Sequence, residues 1–252
     1  MSFLSGYITR RFAAIKQNLY GFAETKKQEH IHFLRVDIKK LRAVLAFLGK
    51  MNGKKKYSGK VLRKLFNDAG ILRENYINRS LFKTVSCSGR LLTALSENEN
   101  LAETEFIDKI PGYRAAVERT EKKLRLSGHK PKKKELKKYF ISKASNAENL
   151  INDRTDKKNI HRFRISIKKM TYVYYALPAR LQKSTGLDTD YLDKLQILAG
   201  RWHDRYMAVR FLERNKLGSA IYIDKLKLQE NRQLNLLVKA CKNFRQKIIT
   251  EN

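Results

Sequence analysis

The chain has 252 residues, 42% of them hydrophobic, which is enough to close a core. Lys and Arg number 55 against 24 Asp and Glu, a formal charge of +31 that exceeds anything solubility asks for. Charge of this size makes a polyanion the expected partner, without choosing among nucleic acid, an anionic lipid surface and inorganic polyphosphate.

Only three prolines and twelve glycines interrupt long runs of helix-forming residues, and no series of alternating strand patterns occurs, so the fold class is all-α. In chain order the apolar periodicity predicts helices over residues 3–25, 28–50, 57–74, 76–96, 102–126, 134–154, 158–182, 189–215 and 219–249. Thr25 followed by Gln28 has the spacing of a capping box that would start the second helix. KMNGKKKYSGK (50–60), SENENLA (96–102), LSGHKPKKKE (126–135) and LQKSTGLDTD (181–190) carry the Gly, Pro, Ser and charge clusters expected of loops.

The N-terminal MSFLSGYITRRF reaches charge before any apolar signal segment forms, and 18 consecutive apolar residues occur nowhere. Cys87 and Cys241 lack CxxC spacing, which predicts two reduced thiols. Together these features predict a soluble cytoplasmic chain with no membrane span.

HFLRVDIKKLR, at 32–42, places His32, Arg35, Lys39 and Arg42 within an arc of roughly 80° on one helix face. Phe33, Leu34, Ile38, Leu41, Val44, Leu45 and Leu48 are assigned to the opposite, core-facing side. Cationic heads about one turn apart, roughly 5 Å of rise each, form a rail suited to a linear polyanion; a small carboxylate calls for donors that converge on one point. Such stripes are commonly solvated faces balanced by carboxylates four residues away. Here the nearest acid, Asp37, projects toward the apolar side, about 140° from His32, and is expected to make a buried polar contact.

The second half of the chain repeats this pattern. HFLRVDIKKLRAVLAFL (32–48) aligns with HRFRISIKKMTYVYYAL (161–177): His32 answers to His161, Arg35 to Arg164, and Lys39 and Lys40 to Lys168 and Lys169. At nearly the same offset LRKLFNDAGILRE (62–74) answers LDKLQILAGRWHD (192–204), pairing Gly70 with Gly200, Arg73 with His203 and Glu74 with Asp204. Internal duplication is the economical explanation and predicts two four-helix bundles sharing one core about a pseudo-twofold axis. Neither His32 nor His161 has a metal-ligating residue at i+3 or i+4, and neighbouring cations repel a metal ion, so no metal site and no cofactor is predicted. Surrounding positive charge should keep both imidazoles neutral near pH 7 until phosphate binds.

The ordered set HFLRVDIKKLR, AGILRE, HRFRISIKKMTY and AGRWHD spans essentially the whole chain and resembles the CHAD family, the conserved histidine alpha-helical domain. The resemblance implies one CHAD domain over residues 1–252, with halves at 1–127 and 128–252. It further implies a central basic pore or groove and non-catalytic binding of inorganic polyphosphate, with polyphosphate granules in the cytoplasm as one location. The implied lining is His32, Arg35, Lys39, Lys40 and Arg42 with Arg73 from the first half. The second half is expected to supply His161, Arg164, Lys168, Lys169, Tyr172 and His203. Glu74 and Asp204 are expected to orient neighbouring cations. Thr171 stands where the family has Arg, so the first half should contribute more charge.

Two other readings remain. A nucleic-acid backbone binder would use the same phosphate contacts, although no zinc-finger spacing, RNP-like strand or helix-turn-helix is found. A catalytic or accessory protein of polyphosphate metabolism would need a metal-holding acidic set; there is no GxxxxGK[ST] or HExxH, and ENENL (97–101) lacks the Lys of an ExExK element and is expected in a loop. Adsorption to a membrane surface is disfavoured because the helices need their apolar faces for one another.

Overall fold

The structure, a computed structural model, describes residues 3–51, 60–85, 89–124, 131–152, 156–215 and 220–249. Those residues form helices and one isolated bridge, Leu187 to Ile249, so the chain is all-α. It divides into two compact units, Met1–Lys83 with Ser88–Lys130, and Thr84–Cys87 with Pro131–Asn252.

The first unit holds α1 (Phe3–Thr25), α2 (Gln28–Met51), α3 (Lys60–Thr84), α4 (Gly89–Asp108) and α5 (Ile110–Lys123). Leu4, Ile8, Phe12, Ile15, Leu19 and Phe22 recur at three- and four-residue spacing on α1 and are buried against Ile31, Leu34, Ile38, Leu41 and Leu45 of α2. Each such side chain contributes about 1.5–3 kcal/mol by leaving water. The hairpin between these helices is tight. Lys26 takes a left-handed φ of 55° and returns its N–H to Phe22 O at 2.9 Å, while the His30 ring packs on Gly21, where a Cβ would clash. Asp37 is buried and accepts from Arg11 Nη1 at 2.7 Å, as its inward position in the sequence implied.

The predicted capping box does not form. Thr25 Oγ1 is occupied at the end of α1, donating to Gly21 O at 2.6 Å and accepting from Lys27 N at 3.3 Å, and the Gln28 side chain points to Glu99 instead. The helix expected to stop at residue 74 runs on to Thr84, because Leu72, Asn78 and Phe82 keep one buried stripe through its polar middle. SENENLA, expected as a loop, lies inside α4, and so does ENENL. Its apparent polarity conceals an inward position: Glu99 is buried, ion-paired with Arg79 at 3.2 Å and bonded to Gln28 at 3.3 Å. The helix expected over 102–126 is divided at Lys109, where Pro111 opens α5 without an N–H to donate.

The second unit holds α6 (Lys133–Asn152), α7 (Lys157–Tyr174), α8 (Ala179–Lys183), α9 (Thr189–Asn215), α10 (Ala220–Ala240) and α11 (Phe244–Ile248). Asp156 caps α7 by accepting from Lys158 N at 2.8 Å. The helix expected over 158–182 ends at Tyr174, just ahead of Pro178, which cannot continue it. The one expected over 219–249 is broken at Cys241–Asn243, with Asn243 at φ 59°. That break folds α11 back on α6 and α9: Phe244 meets Phe163 edge to face at 5.4 Å, and Tyr191 Oη donates to Ala240 O at 2.8 Å. Five helices in one unit and six in the other, among the described residues, replace the four expected in each half. The lysines of the 50–60 stretch from 52 to 59, and Cys87, lie outside the described residues, while Cys241 is buried.

Candidate functional site

In the first unit, α2 commits Ile31, Leu34, Ile38 and Leu41 to the core, which leaves Arg35, Lys39, Lys40 and Arg42 half-buried and His32 exposed. Phe33, expected in the core, is 52% exposed; it is one residue beyond His32 and turns outward with it, their rings 5.5 Å apart. The cations do not form an evenly spaced rail. Arg35 Cζ, Arg42 Cζ and Lys39 Nζ lie 4.1, 4.7 and 5.5 Å from the centre of one ring, Phe66 of α3. Residues 35 and 42 are about 10 Å apart along the helix axis, so their heads have been drawn together. The negative face of the ring attracts them without cancelling their charge.

Arg35 Nη1 also donates to the carbonyl oxygen of Phe66. Gly70 leaves room for this placement: a Cβ there would lie 2.5 Å from Arg35 Nη1, so the guanidinium would have to shift. Burial, followed by repulsion from Arg73 and Arg42, pushes Arg35 down to about 10, with Glu74 opposing; it stays charged at neutral pH. Burial and then Arg63 lower Arg42, whose Nη2 is buried with no hydrogen-bond partner among the described residues. Beside the cluster, Gln28, Glu29, His32, Arg73 and Tyr76 line a cleft of about 210 Å³, with Arg73 Cζ 5.3 Å from the Tyr76 ring. Lys40 lies about 100° around the helix from Lys39 and is half-buried.

In the second unit, Phe163, Ile167, Met170 and Val173 of α7 are buried, while His161, Arg164, Lys168 and Tyr172 are half-buried and Lys169 is exposed. The His161 ring lies 4.7 Å from that of His203 on α9, with 33° between their planes. Burial, then Arg164, lowers the pKa of His161, which favours the neutral imidazole. Arg164 is lowered by burial, with Asp204 and Tyr172 opposing, and its Nε is buried with no hydrogen-bond partner among the described residues. Burial and then Arg164 push Lys168 down to about 8, again against Asp204. Asp204 thus favours the charged form of both cations.

Thr171 is buried rather than on this face. Gly200 also differs from the glycine it answers to, because no atom lies within 4 Å of where its Cβ would be. On α9, Trp202 stacks on Tyr206 at 5.3 Å, and Lys157 and Arg210 lie 5.3 and 5.7 Å from the Tyr206 ring.

Phe66 and Tyr76 had no place among the site residues read from the sequence, and Gln28 entered there only as part of a helix cap. Phe66 sits one step from the buried Leu65 and four residues before Gly70, so its position on α3 was legible, but its pairing with three residues of α2 is a property of helix packing. Among the described residues no group of three or more His, Cys, Asp or Glu side chains is arranged to hold a metal ion, and no helix is long and apolar enough to cross a membrane.

A family model described as CHAD domain matches residues 6–213. The crystal structure of the CHAD domain from the plant Ricinus communis superposes with a TM-score of 0.59 at 14% identity, over 97% of this chain and 87% of that one. PptA from Streptomyces chartreusis gives a TM-score of 0.58 at 12% identity, over 97% of both chains. No curated protein matches the sequence.

Proposed function

Because the chain belongs to the CHAD domain family, we propose that it binds inorganic polyphosphate, without catalysis, through the basic faces of α2 with α3 and of α7 with α9. The observation that carries this reading is the gathering of Arg35, Lys39 and Arg42 around Phe66: three cationic heads, more than the one or two forks a single small carboxylate needs, grouped by a ring that adds no negative charge. The half-buried His161, Arg164 and Lys168 support the second face. Burial disfavours the charged form of all three and Arg164 adds repulsion on His161 and Lys168, and a bound phosphate would offset these costs with opposite charge.

Polyphosphate offers close-spaced phosphate charges and no base edges, so cations grouped on helix faces can engage it through phosphate oxygens alone. The cytoplasm, in association with polyphosphate granules, is the location that goes with this ligand. The test is competition between polyphosphate of defined lengths and duplex DNA or RNA at matched phosphate concentration, each in a salt series. Polyphosphate should displace nucleic acid at every salt concentration. Equal or tighter binding of nucleic acid overturns the choice of ligand, and steady phosphate release that a chelator abolishes overturns binding without catalysis.

A further inference from the structure

Three cations crowded onto one side chain repel one another, and long flexible side chains on a half-exposed helix face would ordinarily relieve that by spreading along the helix into solvent. In this structure they do the opposite. Arg35 and Arg42, seven positions apart, both stack on Phe66 at 4.1 and 4.7 Å, and Lys39 reaches the same ring at 5.5 Å. Two further features fix the arrangement: Arg35 donates to the Phe66 carbonyl, and Gly70 leaves open the space its guanidinium fills. The ring belongs to α3, whose Leu62, Leu65, Ala69 and Leu72 are buried, so its position is set by the core.

We infer that Phe66 is a positioning residue that turns the stripe of α2 into one compact anchor for consecutive phosphates of the same chain. This rests on the polyphosphate reading and deepens it. An aromatic ring suits the role because it attracts each cation while contributing no negative charge; a carboxylate there would neutralise the anchor it assembled. Adjacent phosphates in one chain are close-spaced charges, which three grouped cations can meet together. Pre-assembly also spares the ligand the cost of ordering three long side chains.

The experiment measures polyphosphate affinity of the full chain across a salt series, alongside far-UV circular dichroism and thermal unfolding. Phe66→Leu keeps apolar bulk and all cations but loses the ring; affinity should fall by about tenfold, with a shallower dependence of log K on log salt. Phe66→Tyr should restore wild-type affinity to within about threefold, since it keeps the aromatic face. Gly70→Ala tests the same arrangement without touching the ring and favours helix, so it decides the matter if Phe66→Leu does not fold; its Cβ should displace Arg35 and weaken binding by about threefold to tenfold. Wild-type affinity and salt slope in folded Phe66→Leu, or in Gly70→Ala, overturn the inference, and so does failure of Phe66→Tyr to rescue. If the wild-type chain itself does not bind polyphosphate, the failure belongs to the proposed function and is recognised as such.

Discussion

Gln196 Nε2 donates to Thr171 Oγ1 at 2.9 Å, and Thr171 donates in turn to Ile167 O at 3.2 Å. In sequence register these two residues answer to Phe66 and Arg42, so a buried hydroxyl and a half-buried amide stand where the other unit places a guanidinium over a ring. Thr171 is 4% exposed and belongs to the core. Thr171→Val should cost about 0.5–1.5 kcal/mol in urea unfolding, the usual worth of a hydrogen bond, and leave polyanion affinity unchanged. Arg42→Ala should do the reverse, lowering affinity with little loss of stability. Equal effects of the two substitutions on binding would contradict the placement of the site.

Arg35 and Arg164 occupy answering positions, and both are half-buried and lowered by burial. Replacing both with alanine should weaken polyphosphate binding by a few kcal/mol in total, with roughly 1.5–3 kcal/mol per lost charged hydrogen bond as the ceiling. Helix content measured by circular dichroism should be retained. Normal binding by the double variant would place the site elsewhere on the chain.

Lys168 gives the binding face a pH dependence of calculable sign. It titrates at about 8 in the folded chain against an ordinary 10.5, so between those values the unfolded chain binds more protons and stability rises with pH. Below pH 8 both states are protonated and the full cost of burying the charge is present. Lys168→Met should therefore stabilise the protein by ~1–3 kcal/mol at pH 7, a gain that fades as pH rises through the window. Binding should follow the charge: affinity for polyphosphate should fall between pH 7 and 9 in the wild type, and the fall should be smaller in Lys168→Met.

Asp37 separates architecture from binding. It sits on the same helix as the basic stripe but faces Arg11 at 2.7 Å and Asn18 at 3.5 Å from a buried position. Removing it leaves a part-buried guanidinium unmatched, so Asp37→Ala should destabilise by about 2–4 kcal/mol. Polyphosphate affinity measured below the unfolding transition should be unaffected. A gain in affinity would mean that Asp37 screens the stripe and is not a core ion pair.

Legibility along the chain followed the range of the interactions involved. The first two helices could be placed closely from sequence because apolar spacing within one helix dictates which face is buried. Asp37 could be turned inward by angle alone. The polar run at 96–102 misled because a buried Glu99 satisfied by Arg79 and Gln28, more than 15 residues away along the chain, has the composition of a loop. The capping signal at Thr25 misled because its hydroxyl had a competing use in closing α1.

The sequence by itself determined an all-α chain, the two HxxR stripes and the excess of positive charge, all of which depend on composition and on the 3.6-residue period of a single helix. Only the tertiary structure decided that three of the cations meet on Phe66, that the Arg35 guanidinium fills the space beside Gly70, and that Thr171 with Gln196 fills the answering place with a hydrogen bond. Those outcomes depend on which residues of one helix come to lie against another, and helix packing, which no period along the chain encodes, sets them.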